Sequence, residues 1–418
     1  MNKRFFLPVI LALAGLAALE TGSHAASQKS PPSKIAPVEV NGKIGFIDSA
    51  GAWVAEPSFD ETSDFAAHGL APAKQRGKWG YINEKGEWAI KPQFDCAHGF
   101  AENGLASVCA KGKTGFIDQK AQWVIKPQYS RASDFMSNGL ALAEGPEGWG
   151  FIDEKGEWAI KPVYEDAFDF ADNGMAVVLW KGRYGYIDKT GEWAIKPKLD
   201  ASGEILTSGA SWTLQTKADD VFDFTPNGLA VAKIDDKYGY INEKGEWVIK
   251  PIFDDAFDFT TNGLASAKQG NRLGFINEKG EWAIEPIFDD VFDFASNGLA
   301  IVQKDDRYGY VNEKGELAIP IRFDDVFDFT PNGLALVKIG DRFGYIDEKG
   351  KWAIEPRFDD ADDFSSIGVA HVVLNGKSGW INEKGEILLR VDEACGGAVI
   401  RNAKDQITWP EEAAKKCK

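Results

Sequence analysis

The residues best suited to chemistry in this chain are aspartates that recur in the pattern Asp-Asp-x-x-Asp. Clustered carboxylates can supply the roughly six to eight oxygens that Ca²⁺ prefers, and a carboxylate pair can hydrolyse a glycosidic bond. No copy has the spacing of a recognised Ca²⁺ loop, and a catalytic pair is unique whereas these acids are copied. We therefore interpret them as a solvated acidic stripe in which some aspartates cap turns, and expect no catalytic residue, no metal site and no cofactor. The copies are Asp219/Asp220/Asp223, Asp254/Asp255/Asp258, Asp289/Asp290/Asp293, Asp324/Asp325/Asp328 and Asp359/Asp360/Asp363.

The other polar residues offer little material for catalysis. The chain has 418 residues but only 4 His, the side chain most often used as acid, base or metal ligand near neutral pH. No Ser/His/Asp pattern surrounds His68, His98 or His371, and no glycine-rich phosphate loop precedes a helix. With 64 acidic against 47 basic residues, the formal net charge is -17, which argues against a basic surface for nucleic acid. The composition predicts a protein that is not an enzyme and has no nucleic-acid partner.

An internal repeat positions all of these residues. An anchor glycine, followed by an aromatic residue and then Ile or Val, recurs at intervals of 35 residues, with one interval of 54. A fixed period of this length is typical of arrays whose units bury their apolar faces only against neighbouring units. The anchors are Gly45, Gly80, Gly115, Gly150, Gly185, Gly239, Gly274, Gly309, Gly344 and Gly379.

The sequence of each copy predicts a three-stranded antiparallel meander. In the copy around Gly239, residues 229–233 and 237–242 form two strands, and a tight turn with a left-handed Gly245 leads into a third. Ala121 stands at the position of this turn glycine in another copy, which predicts a strained turn.

The rest of the copy around Gly239 predicts how the units pack. We expect Trp247 and its equivalents to pack in the core on the anchor glycine, and Pro251 to end the third strand because it cannot donate to a ladder. The segment from Phe253 to Phe259 is predicted to be a loop whose phenylalanines fill the gap between units.

A second copy carries a distinctive series of residues: Lys78-Trp79-Gly80-Tyr81-Ile82, then Gly86, Trp88, Pro92 and Gly104-Leu105-Ala106. This series resembles the WG (KWG) repeat of bacterial exported proteins, and the resemblance extends over ten copies from about Val40 to Leu389. Leu317 and Ile387 depart from it by replacing the tryptophan. The resemblance implies a repeat protein with no catalytic motif to transfer.

Two all-β arrangements fit tandem meanders of about 35 residues. We favour an open superhelical or solenoid array, which tolerates any number of copies. The alternative is a β-propeller-like closure. Because ten copies exceed the usual number of blades, the insertion that lengthens one interval could divide such a closure into two five-bladed rings. The expected domains are 1–25 signal peptide, 26–39 flexible leader, 40–198 repeats one to five, 199–217 insertion, 218–390 repeats six to ten and 391–418 disulfide-linked cap.

The N-terminus and the cysteines both predict export. Lys3 and Arg4 precede the apolar run Phe5 to Leu19, and a small-x-small cleavage site ends at Ala25. The run is too short to span a bilayer, so we expect a soluble periplasmic or secreted protein without membrane insertion. Cys96 and Cys109 lie in one repeat unit, whereas Cys395 and Cys417 both lie in the tail. We expect one disulfide within each pair, although four cysteines allow three pairings.

The insertion suggests where a ligand would bind. Trp212 in the insertion and Trp180 just before it occupy positions that the repeat does not prescribe. Aromatic side chains anchor protein partners or stack on sugars, so we predict a binding scaffold for a protein or a cell-envelope glycan that uses these two residues. Packing within their own hairpins is the alternative role for both. The rival functions are a secreted carbohydrate-active enzyme and a purely structural spacer.

Overall fold

A computed structural model describes residues 34–66, 68–197, 220–394, 397–410 and 413. Within these ranges the chain forms ten antiparallel sheets that follow one another in sequence. Seven sheets have four strands, the first and fourth have three, and the tenth has six. Among the described residues, no helix is both long and apolar enough to cross a bilayer.

The strands of the first five sheets are β1 (Ala36–Val40), β2 (Lys43–Ile47) and β3 (Trp53–Phe59); β4 (Glu61–Thr62), β5 (Leu70–Gln75), β6 (Lys78–Asn83) and β7 (Trp88–Phe94); β8 (Cys96–Ala97), β9 (Ala106–Ala110), β10 (Lys113–Ile117) and β11 (Trp123–Tyr129); β12 (Ala141–Gly145), β13 (Gly148–Ile152) and β14 (Trp158–Tyr164); β15 (Asp166–Ala167), β16 (Met175–Trp180), β17 (Arg183–Asp188) and β18 (Trp193–Ile195).

The strands of the last five sheets are β19 (Asp220–Val221), β20 (Leu229–Ile234), β21 (Lys237–Asn242) and β22 (Trp247–Phe253); β23 (Asp255–Ala256), β24 (Leu264–Gln269), β25 (Arg272–Asn277) and β26 (Trp282–Phe288); β27 (Asp290–Val291), β28 (Leu299–Lys304), β29 (Arg307–Asn312) and β30 (Leu317–Phe323); β31 (Asp325–Val326), β32 (Leu334–Ile339), β33 (Arg342–Asp347) and β34 (Trp352–Phe358); β35 (Asp360–Ala361), β36 (Val369–Leu374), β37 (Lys377–Asn382), β38 (Ile387–Ala394), β39 (Gly397–Asn402) and β40 (Ile407–Trp409).

The three-stranded meander is correct but incomplete. The segment expected to be a loop adds a two-residue edge strand to most sheets, as β23 pairs with β24 through Asp255 opposite Lys268. We name the four strands of a complete sheet a, b, c and d in chain order, so that β23 is an a strand and β26 is a d strand. Only Asp254 separates d strand β22 from a strand β23 of the next sheet, which keeps consecutive sheets close together.

The turn between strands c and d has the expected geometry. Gly86 has φ 70°, and its N–H donates to the carbonyl of Asn83 at 2.8 Å, which closes a tight turn on a left-handed residue. Ala121 adopts φ 61° at the equivalent position. An alanine in this region pays a steric cost that glycine avoids, so the strained turn is confirmed.

The anchor glycine has a different role from the one expected. A Cβ on Gly239 would lie 2.5 Å from the carbonyl oxygen of Ile249 and 2.8 Å from the nitrogen of Pro251. The backbone of strand d therefore crosses directly over this glycine, and the expectation that the glycine seats a tryptophan is wrong. Pro251 does not end the strand either, because it lies at a register shift where β22 continues to Phe253 and no ladder donor is required.

The tryptophans of the d strands pack between sheets. Trp282 meets the edge of Phe253 from the preceding sheet at 5.6 Å between ring centroids and an interplanar angle of 81°. Edge-to-face geometry of this kind is favourable for aromatic pairs. The same pairing recurs as Phe59–Trp88, Phe94–Trp123, Tyr129–Trp158, Tyr164–Trp193 and Phe323–Trp352.

One type of interface joins each sheet to the next. In the sixth sheet, large side chains such as Tyr240 and Ile249 cover one face, and they pack on Ala265, Ala267 and Ile276 of the seventh. A large-residue face thus meets a small-residue face, which allows the close packing typical of protein interiors. Sheets five and six pack in the same way, with Tyr186 against Ala230.

The tenth sheet makes this interface with the first, which closes the ring. Trp380 and Leu389 of the tenth sheet share a buried cluster with Ala36, Val38 and Ile47 of the first. By repeat position, these residues correspond to Tyr240, Ile249, Ala265, Ala267 and Ile276. The chain is therefore a single ten-bladed β-propeller.

The favoured open superhelical array is thus wrong, because neither end of the row of sheets is left uncovered. The alternative, a β-propeller-like closure, is confirmed, but as one ring and not as two five-bladed rings, because sheets five and six pack directly on each other. In the C-terminal segment 391–418, strands β39 and β40 extend the tenth sheet, and Ile400 belongs to the cluster that closes the ring.

Ring closure can be measured as a coupling energy. Val38 and Leu389 are both fully buried in the closing cluster, so we expect Val38→Ala and Leu389→Ala each to lower the free energy of unfolding by roughly 1–5 kcal/mol. In a double-mutant cycle measured by urea denaturation, the pair should couple by about 0.5–3 kcal/mol. Val38→Ala combined with Ile249→Ala is the additive control, and zero coupling for Val38 and Leu389 would contradict closure.

Candidate functional site

The first two aspartates of the Asp-Asp-x-x-Asp motif maintain the fold. Asp254 forms an ion pair with Lys237 and accepts a hydrogen bond from the N–H of Gly270 at 2.7 Å. The Lys237 hydrogen bond, helped by that of Gly270, lowers the pKa of the Asp254 carboxyl. Asp255 accepts a hydrogen bond from the N–H of Ala256 at 3.0 Å. The expectation that some of these aspartates cap turns is therefore correct for the first position.

The third aspartate of the motif has different surroundings. An aspartate occupies this position at Asp64 in sheet two and again in every sheet from four to ten. We call the continuous set in sheets four to ten the carboxylate arc: Asp134, Asp169, Asp223, Asp258, Asp293, Asp328 and Asp363. Partial burial, together with the charges of Asp258 and Asp169 in the adjacent sheets, raises the pKa of Asp223 to about 7. Burial and the charge of Asp328 raise the pKa of Asp363 to about 6.

Members of the carboxylate arc lie close enough to influence groups on neighbouring sheets. The Tyr240 hydroxyl of sheet six has a raised pKa, chiefly through burial, and the carboxylates of Asp258 and Asp293 in the next two sheets add to the shift. The Asp134 side chain keeps 40% of its surface exposed, and burial of its carboxyl raises the pKa of that group. The arc therefore brings ionisable groups of successive sheets near one another.

A row of exposed phenylalanines accompanies the carboxylate arc. Phe222, Phe257, Phe292 and Phe327, which we call the phenylalanine row, precede arc aspartates in sheets six to nine and are 37–48% exposed. Sequence reasoning missed them by assigning all phenylalanines of this segment to gap filling. That assignment holds for Phe259, which is buried against Tyr240 at 4.8 Å. The missed signal is the residue type: four other copies place Ser63, His98, Ser133 or Asp362 at the exposed position, and sheet five places a half-buried Phe168 there.

The phenylalanine row is held firmly by the preceding sheets. The hydroxyl of Tyr240 donates to the carbonyl oxygen of Phe257 at 2.7 Å, and Tyr186 and Tyr310 donate equivalently to Phe222 and Phe327 at 2.6 and 2.7 Å. Because the donors are buried tyrosines, these hydrogen bonds fix the backbone that presents the exposed rings.

His98, Asp134 and Ser107 form a polar group whose order differs from that of a nucleophile-activating arrangement. His98 Nδ1 lies 3.9 Å from Asp134 Oδ2, and the Ser107 hydroxyl donates to Asp134 Oδ1 at 2.6 Å. The carboxylate thus stands between histidine and serine, whereas activation requires the histidine to contact the hydroxyl. Within the described ranges, no three His, Cys, Asp or Glu side chains are grouped closely enough to hold a metal ion.

The structure describes some of the residues that the sequence predicted as functional and leaves others outside the described ranges. The Trp180 ring is half-buried and packs against Trp193 at 5.6 Å, with the Lys181 ammonium 4.7 Å above it, as the alternative of local packing requires. The insertion, Trp212 and the signal peptide lie outside the described residues, as do Cys395 and Cys417. The Cys96–Cys109 disulfide is confirmed, and it joins directly opposed residues of β8 and β9.

The raised pKa of Asp223 predicts a pH-dependent stability. Between about pH 4 and pH 7 the folded protein holds a proton on Asp223 that the unfolded chain releases, so stability falls as the pH rises through this range. Asp223→Asn should therefore raise the free energy of unfolding by about 1–2 kcal/mol at pH 8 and leave it unchanged at pH 4.

Urea denaturation followed by tryptophan fluorescence measures this effect, and Asp254→Asn is the control. Because the pKa of Asp254 is lowered in the folded state, that variant should instead lose stability at pH 8. A destabilising effect of Asp223→Asn at pH 8 would contradict the assignment.

Comparison with known proteins supports the repeat. A family model described as "WG containing repeat" matches residues 44–79, 79–113, 115–144, 149–182, 184–213, 219–238, 238–272, 274–308, 308–342 and 343–377. None of the curated proteins matches the chain.

Solved structures resemble the chain at low identity. A eukaryotic initiation factor is 10% identical, with 77% of this chain and 95% of that chain covered and a TM-score of 0.48. The extracellular domain of a putative one-component system from B. thetaiotaomicron is 8% identical, with coverages of 91% and 70% and a TM-score of 0.26. Because the family model matches most of its length in ten consecutive segments, the chain belongs to the family of WG-containing repeat proteins.

Proposed function

We propose that this chain is a non-enzymatic, exported binding scaffold for a protein or a cell-envelope glycan. The observation that carries the proposal is the phenylalanine row, because four large apolar side chains stand exposed at equivalent positions of consecutive sheets. Exposed apolar surface that recurs in a contiguous patch is characteristic of interaction sites.

The disulfide supports export. Cys96–Cys109 lies within one sheet, and disulfides persist mainly in oxidising compartments such as the bacterial periplasm or the exterior. The charged-then-apolar segment that includes Phe5 to Leu19 has the form of a signal peptide. Both observations favour a soluble periplasmic or secreted protein.

Export predicts a specific processed product. When the full chain is expressed in a bacterium, we expect the protein in the periplasmic or extracellular fraction, shortened by cleavage after Ala25 and with an oxidised Cys96–Cys109 pair. Intact-mass measurement under non-reducing conditions checks both points. A full-length, reduced protein in the cytoplasm would contradict export.

The scaffold role is tested by recovery of envelope components on immobilised protein. We expect wild-type protein to retain a defined protein or glycan, and treatment of the retained material with a protease or a glycan hydrolase identifies which. Trp180→Ala and Trp212→Ala test whether the two tryptophans contact it, and Trp79→Ala, another half-buried aromatic of the repeat, is the control. Undiminished recovery with both variants would remove these tryptophans from the site, and no specific recovery by wild type would contradict the scaffold role.

A further inference from the structure

We propose that the phenylalanine row and the carboxylate arc together form a docking surface for an extended segment of a partner protein that carries one apolar and one basic side chain in every three residues. This inference rests on the proposed scaffold function and specifies the chemistry of its partner.

The repeat itself shows that the fold does not require the phenylalanines. Ser63, His98, Ser133 and Asp362 occupy the same position in other sheets, and the sheets that contain them pack in the same ring. Exposing an aromatic ring leaves apolar surface in contact with water, which is unfavourable. Four consecutive sheets expose phenylalanine at a position where other sheets have a polar residue, so the row serves contact with another molecule.

The spacing of the phenylalanine row suits the binding of an extended chain. Its members stand one per sheet in four successive sheets, and stacked sheets lie about 10 Å apart. A polypeptide in the polyproline II conformation has three residues per turn and advances roughly 3.1 Å per residue, so every third side chain of a bound segment lies on one face and meets one phenylalanine. The tyrosine hydroxyls that hold the carbonyls of Phe222, Phe257 and Phe327 keep the surface rigid, which lowers the ordering cost of binding.

The carboxylates determine the charge of the partner. The pKa of Asp223 rises partly because the charges of Asp169 and Asp258 repel its ionised form, and the whole chain has a net charge of -17. A lysine or arginine placed among these groups relieves the repulsion, whereas a neutral glycan does not. The electrostatics therefore favour a basic segment of a protein over an uncharged sugar.

The experiment measures binding of a short synthetic peptide that repeats Leu-Lys-Ser, by isothermal titration calorimetry at pH 8 on the full chain. Peptides repeating Leu-Glu-Ser and Ser-Lys-Ser separate the charge requirement from the apolar one, and a chito-oligosaccharide is the glycan probe. We expect binding of Leu-Lys-Ser alone, with an affinity that falls as salt is raised.

The decisive variant is Phe257→Ser combined with Phe292→Ser, because serine already occupies this position at Ser63 and Ser133. We expect its Kd for the Leu-Lys-Ser peptide to rise at least about tenfold. Ile252→Gln with Ile287→Gln is the matched control. Ile252 and Ile287 are exposed on d strands at positions where other copies have Gln93 and Gln128, and their replacement should leave Kd within about twofold. Asp223→Asn with Asp328→Asn should weaken the salt dependence.

Each outcome bears on the proposal. Equal Kd for wild type and the phenylalanine variant, equal binding of Leu-Glu-Ser, or binding of the chito-oligosaccharide in place of the peptide would overturn it. Circular dichroism and the urea midpoint confirm that the variants fold. If envelope recovery succeeds while the Leu-Lys-Ser peptide does not bind, the scaffold function stands and this inference alone fails.

Discussion

The contact between the large-residue face of one sheet and the small-residue face of the next is the interaction on which the structure depends. A single sheet of three or four short strands cannot bury both of its faces, so each requires a neighbour on either side. A row of such sheets would leave one large face and one small face uncovered at its ends. The pairing of Trp380 and Leu389 with Val38 and Ile47 removes both ends at once, and ring closure follows from the same chemistry as every other contact in the molecule.

This constraint also accounts for which residues recur. The anchor glycine recurs because the strand d backbone passes over it with no room for a Cβ, and the tryptophan recurs because it fills the space beside an aromatic ring of the preceding sheet. The first motif aspartate recurs because it pairs with a basic residue of strand c and caps the b–c hairpin. These positions are fully used by folding, so residues that differ between copies carry the information about function.

Much of the fold could be predicted from the sequence because local rules determine it. The 35-residue period, the strand alternation and the left-handed turn glycine each follow from short-range sterics, and the Cys96–Cys109 pair follows from two cysteines within one unit. Closure could not be predicted in this way, because the angle between neighbouring sheets depends on how Tyr240 and Ile249 seat on Ala265 and Ala267. A small change in that angle, repeated ten times, separates a ring from a superhelix, and no residue pattern encodes it directly.

The candidate surface was missed for a related reason. Phe257 and Phe259 are two residues apart and chemically identical, yet Phe259 is buried and Phe257 is 45% exposed, because the segment leaves β23 and turns toward the loop around Asn262. The 35-residue period does not distinguish the two phenylalanines, but a comparison of the copies does. The position of Phe259 is phenylalanine in every described sheet that has this segment, whereas the position of Phe257 is serine, histidine, phenylalanine or aspartate. The copies therefore differ at this surface position, which is phenylalanine in sheets five to nine and a polar residue in sheets two to four and ten. Packing between sheets does not require this division, because a sheet with a polar residue at this position and a sheet with phenylalanine there make the same interface with their neighbours.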